Sequence, residues 1–212
     1  MDERSGTREA IYGRSGSGKS YLAKRLVRDI RRVVAFDPEG EYGELPGFHT
    51  VKSLGALLEA LKDCWNGSFK LAYVPTALRE EKELHEIACL LEWMQEPFLA
   101  GKSDLKVTLL VDELNLSFPI SPRPEHSGFA RLCSRGRKRG INLIGVTQRP
   151  AEVATRFRGN LDRVRVFALA APQDFTAIKD AMGADGEARV RALGAYEHVL
   201  YENGALSVVK PV

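Results

Sequence analysis

The sequence predicts an α/β domain, with a mainly parallel central sheet flanked by helices and a C-terminal β-hairpin, from three observations. Short apolar runs of strand length alternate with longer segments of helical periodicity, as in successive βαβ units. The first run ends in a glycine-rich turn, Gly13 to Ser20, that leads into an amphipathic segment. Near the C-terminus, Asn203-Gly204 separates two strand-like runs, which is a two-residue hairpin signal.

Each element has its own reason. EAIYG (9–13) reads as the first strand, and Leu22, Leu26 and Ile30, with Ala23 and Val27 beside them, give the next segment one apolar helical face. RVVAFD (32–37) is a second strand, followed by a helix over about 53–64 and a strand at KLAYVP (70–75). Leu84, Ile87, Ala88, Leu91 and Met94 recur at helical spacing from Glu80 to Met94, which marks a core-facing helix. VTLLVDE (107–113) and INLIGVT (141–147) read as buried strands with a helix over about 125–138 between them, and RVRVFALA (163–170) reads as a further strand. No repeat, low-complexity tract or linker interrupts the pattern, so residues 1–212 are expected to form one domain.

Composition narrows the class. With 44% hydrophobic and 28% charged residues, the chain can build a core and is not of the disordered type. Its formal charge of +3 is too small to identify a nucleic-acid partner, because the local distribution of charge decides that question. Three widely spaced cysteines, Cys64, Cys89 and Cys133, form neither a metal pattern nor a disulfide framework and fit a reducing compartment. The opening MDERSGTREA is charged and lacks the apolar run of a signal peptide, and no apolar stretch approaches the ~20 residues needed to cross a bilayer. A cytoplasmic protein with no intrinsic membrane segment is expected.

Two motifs carry chemistry. GRSGSGKS, comprising Gly13, Arg14, Ser15, Gly16, Ser17, Gly18, Lys19 and Ser20, fits G-x-x-x-x-G-K-[ST] between a strand and a helix. Its glycines allow several backbone N–H groups to turn toward one anion, and the helix N-terminus adds partial positive charge there. Lys19 is expected at the β- and γ-phosphates of ATP, with Ser20 on Mg²⁺. In LLVDE, the apolar run sets Asp112 at the carboxyl end of a strand, where it is expected to hold Mg²⁺, and Glu113 follows as general base for an attacking water. A phosphotransferase or a nucleotide-dependent regulatory switch could use the same loop; the Asp-Glu pair favours hydrolysis.

Three further segments then form a group. AFDPEGEYG (35–43), LLVDEL and RGRKRGINLIGVTQRPAEV (135–153), taken with the phosphate loop, resemble the HerA/FtsK superfamily of DNA-pumping P-loop ATPases over about residues 9–170. The resemblance implies a RecA-like, additional-strand P-loop NTPase fold. It also implies that Gln148 senses the γ-phosphate or attacking water, a task suited to an amide that can both donate and accept. In related motors an arginine of the Gly-Arg-x-x-Gly turn reaches the neighbouring subunit's nucleotide. Arg137 matches it, with Arg139 and Arg135 as alternates; the other reading is a solvated basic helix end. Asp37 and Glu41 either support the magnesium and water site or cap the DPEGEYG turn.

The short chain is most similar, within that superfamily, to the genome-packaging ATPases of tectivirus-like, tailless, internal-membrane bacteriophages. The resemblance implies sequence-independent translocation of double-stranded DNA into a preformed capsid. It further implies a homo-oligomeric ring, a hexamer in preference to a pentamer, docked at a capsid vertex or portal protein in the host cytoplasm. Arg123, Arg156 and Arg158 are candidates for phosphate contacts on DNA, with ordinary solvated charge as the other reading. Cellular HerA-like, conjugation-type and filamentous-phage assembly motors are the alternatives within the superfamily.

Overall fold

Strict alternation along the strands gives each side of the sheet its own apolar surface. The computed structural model describes residues 4–211. Its elements run β1 (Arg8–Tyr12), α1 (Lys19–Arg28), β2 (Arg32–Phe36), β3 (His49–Val51), α2 (Leu54–Cys64), β4 (Phe69–Tyr73), α3 (Glu80–Met94) and α4 (Glu96–Leu99). They continue with β5 (Val107–Val111), α5 (Leu114–Ser117), α6 (Gly128–Arg135), β6 (Ile141–Thr147), α7 (Thr155–Arg158), β7 (Arg163–Val166), α8 (Pro172–Arg191), β8 (His198–Glu202) and β9 (Ala205–Val209).

The nine strands form one sheet in the order β3-β4-β2-β5-β6-β1-β7-β8-β9. Pairing is parallel from β3 through β7 and antiparallel at β7–β8 and β8–β9. The Asn203-Gly204 turn closes the expected hairpin, with both residues at positive φ. The order places β1 between β6 and β7, so the loop after β1 lies beside the ends of both neighbours.

Ala10, Tyr12, Val34, Phe36, Leu109 and Val111 face a large cluster with Leu57, Leu84, Ile87, Leu91, Phe129 and Phe157 from the helices. Their sequence neighbours Ile11, Val33, Ala35 and Leu110 face the other side, where Ala23 and Val27 of α1 pack with Tyr42, Phe48 and Phe167. Period-2 alternation is thus satisfied on both faces, as a sheet covered on each side requires. The helix starting at Leu54 is capped by Ser53, whose hydroxyl accepts the Ala56 N–H at 3.2 Å.

Several boundaries differ from the sequence reading. The helix expected over about 125–138 is regular only from Gly128 to Arg135, with 3₁₀ turns at Pro124–His126 and Gly136–Arg139 on either side. The strand expected to reach residue 170 leaves the sheet after Val166, because the Ala168 carbonyl accepts the Arg14 N–H of the phosphate loop at 2.9 Å. The short β3 and the long α8 were not expected. The first has only three residues, none fully buried, and the second is broken at Gly183, whose φ of 76° is non-helical.

Candidate active site

The loop from Gly13 to Ser20 is built by its neighbours as much as by its glycines. The Gly13 N–H donates to the Thr147 carbonyl at the end of β6 at 3.2 Å, and Ser17 N–H donates to Arg14 O at 3.2 Å. At Gly13, a Cβ would stand 2.5 Å from Ser17 Oγ and 2.7 Å from Phe167 Cβ, so the close approach admits only glycine. Gly18 caps α1 at φ 102°, and no acidic residue occupies the first turn of that helix. The first-turn amides are therefore presented to an anion without a competing carboxylate. Arg14, Ser15 and Gly16 are exposed at the rim, while Ser17 and Lys19 are buried.

β5 brings two carboxylates to the same edge. Lys19 Nζ lies 3.9 Å from Glu113 Oε1, and Gln148 Nε2 donates to that same oxygen at 2.9 Å. The Glu113 N–H donates to Asp112 Oδ1 at 3.0 Å. Glu113 sits at φ 43°, ψ 52°, a left-handed conformation unusual for a residue with a side chain. Burial pushes the Asp112 carboxyl up to about 6, opposed by the Glu113 backbone hydrogen bond and reinforced by the Glu113 charge. The sequence-predicted residues Lys19, Glu113 and Gln148 thus meet at one point, with Asp112 beside them.

Tyr42, which the motif reading did not single out, is fully buried near this edge. Its hydroxyl has no hydrogen-bond partner among the described residues. Its pKa is raised first by burial and then by the nearby Asp112, Asp37 and Glu41 charges. The buried Asp112 carboxyl, and the Ser20 hydroxyl in the first turn of α1, supply oxygen atoms of the kind Mg²⁺ takes together with retained waters. The residues present fit the ion.

Asp37 and Glu41 do different work. Asp37 is fully buried, and its two oxygens accept the Glu41 N–H at 3.0 Å and the Tyr42 N–H at 2.9 Å. It therefore organises the DPEGEYG turn that carries Tyr42. Glu41 pairs with Lys24 of α1 at 2.7 Å. Asp37 thus caps the DPEGEYG turn and Glu41 takes an ion pair, while the Asp37 charge also reaches Asp112.

The Thr147-Gln148-Arg149 turn has supports that sequence reasoning missed. Thr147 Oγ1 donates to Asn115 Oδ1 at 2.7 Å and accepts the Arg149 N–H at 3.0 Å. Arg149 pairs with Glu152 at 2.8 Å and with the buried Asp174 of α8 at 3.3 Å, and Asp174 also accepts the Ala151 N–H at 3.0 Å. Arg149 was visible within the signature, but its partner lies on a helix whose apolar periodicity is too weak to read.

Arg137 is nowhere near its own phosphate loop. It lies in the 3₁₀ turn before β6, at the amino end of the sheet, where its carbonyl accepts the Gly6 N–H at 2.9 Å. Its guanidinium pairs with Asp162 and donates to the Asn160 carbonyl at 3.2 Å. The seven residues of β6 span ~23 Å between it and Gln148. Arg139 is held by Glu92 and Glu96, whereas Arg135 is exposed. Arg123 is exposed beside Glu81, Arg156 is exposed near Ser134, and Arg158 donates to the Val153 carbonyl at 3.0 Å. These three do not converge with the carboxylates.

Comparison with known proteins now bears on this geometry. The family described as "Helicase HerA, central domain" matches residues 6–80, which contain the phosphate loop and the Asp37 turn. The DNA translocase FtsK of Treponema pallidum (strain Nichols) is 26% identical over 191 residues, 82% of this chain. The likeness is thus to HerA/FtsK-type P-loop ATPases. The chain spans 23% of the length of that translocase. The genome packaging NTPase B204 from Sulfolobus turreted icosahedral virus 2, in complex with ATP-gammaS, shares the fold with a TM-score of 0.75 at 17% identity, each chain covered over 100%. The pCW3 conjugation coupling protein TcpA superposes with a TM-score of 0.63 at 14% identity, covering 98% of this chain and 60% of its own. Among the described residues, no helix is long and apolar enough to cross a membrane.

Proposed function

We propose that this chain hydrolyses ATP to drive double-stranded DNA, independently of its sequence, into a preformed viral capsid. The convergence of Lys19, Glu113 and Gln148 at the carboxyl edge of the sheet is the observation that carries the hydrolytic reading. The fold shared with B204 over the whole of both chains supports the packaging setting.

Each residue of the site has a part in that reaction. The backbone amides of Gly13 to Ser20 and the Lys19 ammonium bind the phosphates and withdraw negative charge. As Lys19 turns to phosphate, Glu113 loses a cationic neighbour and becomes free to take a proton from water. Gln148, already hydrogen-bonded to Glu113, orients that water toward the γ-phosphorus. Water oxygen bonds to phosphorus as the bond to the β-phosphate oxygen breaks, giving ADP and phosphate. Ser20 and Asp112 would hold Mg²⁺, which when bound neutralises charge on the phosphate oxygens.

Arg137 is too far from its own loop to assist, so it acts on the next subunit of a homo-oligomeric ring, with six subunits in preference to five. Arg123, Arg156 and Arg158 contact DNA phosphates, and a capsid vertex or portal protein docks the ring in the host cytoplasm. A second reading, a conjugation-type or cellular DNA pump, draws on the similarity to FtsK and TcpA. The test is ATPase activity against protein concentration, with and without duplex DNA, followed by nuclease protection of DNA added to empty capsids. Concentration-dependent, DNA-stimulated hydrolysis with protected DNA is expected. Phosphoryl transfer to a small acceptor would defeat the motor reading, and translocation without protection would favour the second.

A further inference from the structure

A phenol taken wholly out of water ordinarily gives its proton to an acceptor, as Tyr73 does to Glu83 Oε2 at 2.9 Å. Tyr42 does not. It is fully buried, and its hydroxyl has no hydrogen-bond partner among the described residues. Tyr12 also lacks a partner, but the charge that reaches it is the Arg158 guanidinium, which can only donate. The charges that reach Tyr42 are carboxylates, with Asp112 foremost, then Asp37 and Glu41.

The backbone accounts for that placement. β2 and β5 pair in parallel through Phe36 and Val111, and the Asp112 N–H donates to the Phe36 carbonyl at 3.0 Å. Asp37 and Asp112 therefore end neighbouring strands side by side. Asp37 Oδ2 accepts the Tyr42 N–H at 2.9 Å, and the Tyr42 carbonyl accepts the Leu45 N–H at 3.0 Å. The Tyr42 ring lies against Phe48, with centroids 6.4 Å apart, and Lys24 Nζ of α1 stands 5.9 Å from its centre. The ring is thus held by its own turn and by the helix that follows the phosphate loop.

We propose that Tyr42 is a positioning residue, whose hydroxyl donates to the Asp112 carboxylate and fixes that group for Mg²⁺ bound with the nucleotide. The assignment rests on the nucleotide and magnesium reading of the site. Asp112 Oδ1 already accepts the Glu113 N–H at 3.0 Å. A second donor, on a ring that is already packed, restricts the carboxylate further without ordering a new side chain. An ionised carboxylate only accepts, so the phenol gains its missing partner in the state that holds the metal. This explains a hydroxyl at a place where phenylalanine would fill the same space without one.

The test compares affinity for β,γ-methylene-ATP in Mg²⁺ with affinity in EDTA, by calorimetry. Mg²⁺ should tighten binding to the wild type. Tyr42→Phe should lose about tenfold or more of that gain, as removal of a group that orients a metal ligand does, and keep the affinity in EDTA. Its stability in urea should equal or exceed that of the wild type, since a buried unpaired O–H is gone. Asp112→Asn should lose the gain too, and Tyr42→Phe/Asp112→Asn should lose no more than Asp112→Asn alone. A full Mg²⁺ gain in Tyr42→Phe would overturn the assignment and leave the magnesium reading standing. Additive losses would also overturn it, by showing that Tyr42 does not act through Asp112. Equal weakening in EDTA and in Mg²⁺ would reduce Tyr42 to a packing residue. A wild type that binds no nucleotide, or gains nothing from Mg²⁺, would overturn the underlying reading and the assignment together.

Discussion

The Gln148 amide donates to Glu113 Oε1 across 2.9 Å, so two residues from different strands share one oxygen with Lys19 nearby. Groups that act as a unit do not contribute additively. Glu113→Gln should lower kcat by about 10²–10⁴, the range for loss of a general base, and leave ATP binding intact. Gln148→Ala should lower kcat as well, and the double variant should be little worse than Glu113→Gln alone. Single-turnover hydrolysis of the four proteins gives the coupling directly. Additive losses would mean that the hydrogen bond has no part in the chemical step.

The Arg149–Asp174 pair predicts a separation of activity from stability. Asp174→Asn keeps an oxygen for the Ala151 N–H but weakens the grip on Arg149. Its kcat should fall severalfold with less than about 1 kcal/mol lost in urea unfolding, whereas Asp174→Ala, which leaves the half-buried Ala151 N–H without its acceptor, should cost about 1–2 kcal/mol. A fall in kcat of Asp174→Asn that merely tracked its stability would assign the pair a purely structural role.

In the proposed ring, position separates the arginines that could act between subunits. Arg139 is tied to Glu92 and Glu96, so Arg139→Ala should destabilise the fold by about 1–2 kcal/mol and leave the assembled enzyme's rate nearly unchanged. Arg137→Ala should assemble and lose about 10³-fold or more in rate. Mixing it with Lys19→Ala should restore part of the activity, since some interfaces then combine an intact loop with an intact arginine. Assay of the mixture against ratio tests this. If Arg135→Ala shows the loss and Arg137→Ala does not, the exposed alternate takes the role.

His198 gives the fold an acid-sensitive point. Burial, followed by the Arg165 charge, lowers its pKa to about 4. An unfolded histidine titrates near 6.5, so between pH 6.5 and 4 the unfolded chain binds the proton and the folded chain does not. This share of stability is complete above pH 6.5 and lost as pH falls toward 4. Urea unfolding of His198→Phe should lack that loss relative to its own value at pH 7. A parallel decline in both proteins would place the acid sensitivity elsewhere.

Much of this was legible in the residues because alternation and glycine spacing are local signals. VTLLV shows a strand buried on both faces, and GRSGSGKS announces its turn before the helix begins. The convergence of Lys19, Glu113 and Gln148 follows once their strands are ordered. What stayed hidden depends on contacts between distant segments. Asp174 sits on a helix interrupted at Gly183, and Tyr42 looked like part of a turn until burial left its hydroxyl without a partner. The early end of β7 is another such case. RVRVFALA has the composition of a longer strand, but the phosphate loop takes the Ala168 carbonyl that a longer strand would have paired.

The Gly13 to Ser20 loop and the Arg137 turn occupy opposite ends of the same parallel strands. If Arg137 serves a neighbour's loop, as proposed, copies of the molecule would join head to tail. In the proposed ring such contacts would make a handed circuit, with hydrolysis at each interface completed from a fixed side. They would also leave a free loop and a free arginine wherever the circuit is open. An incomplete ring would therefore always hold one site without its arginine, and closure itself would supply the last active interface.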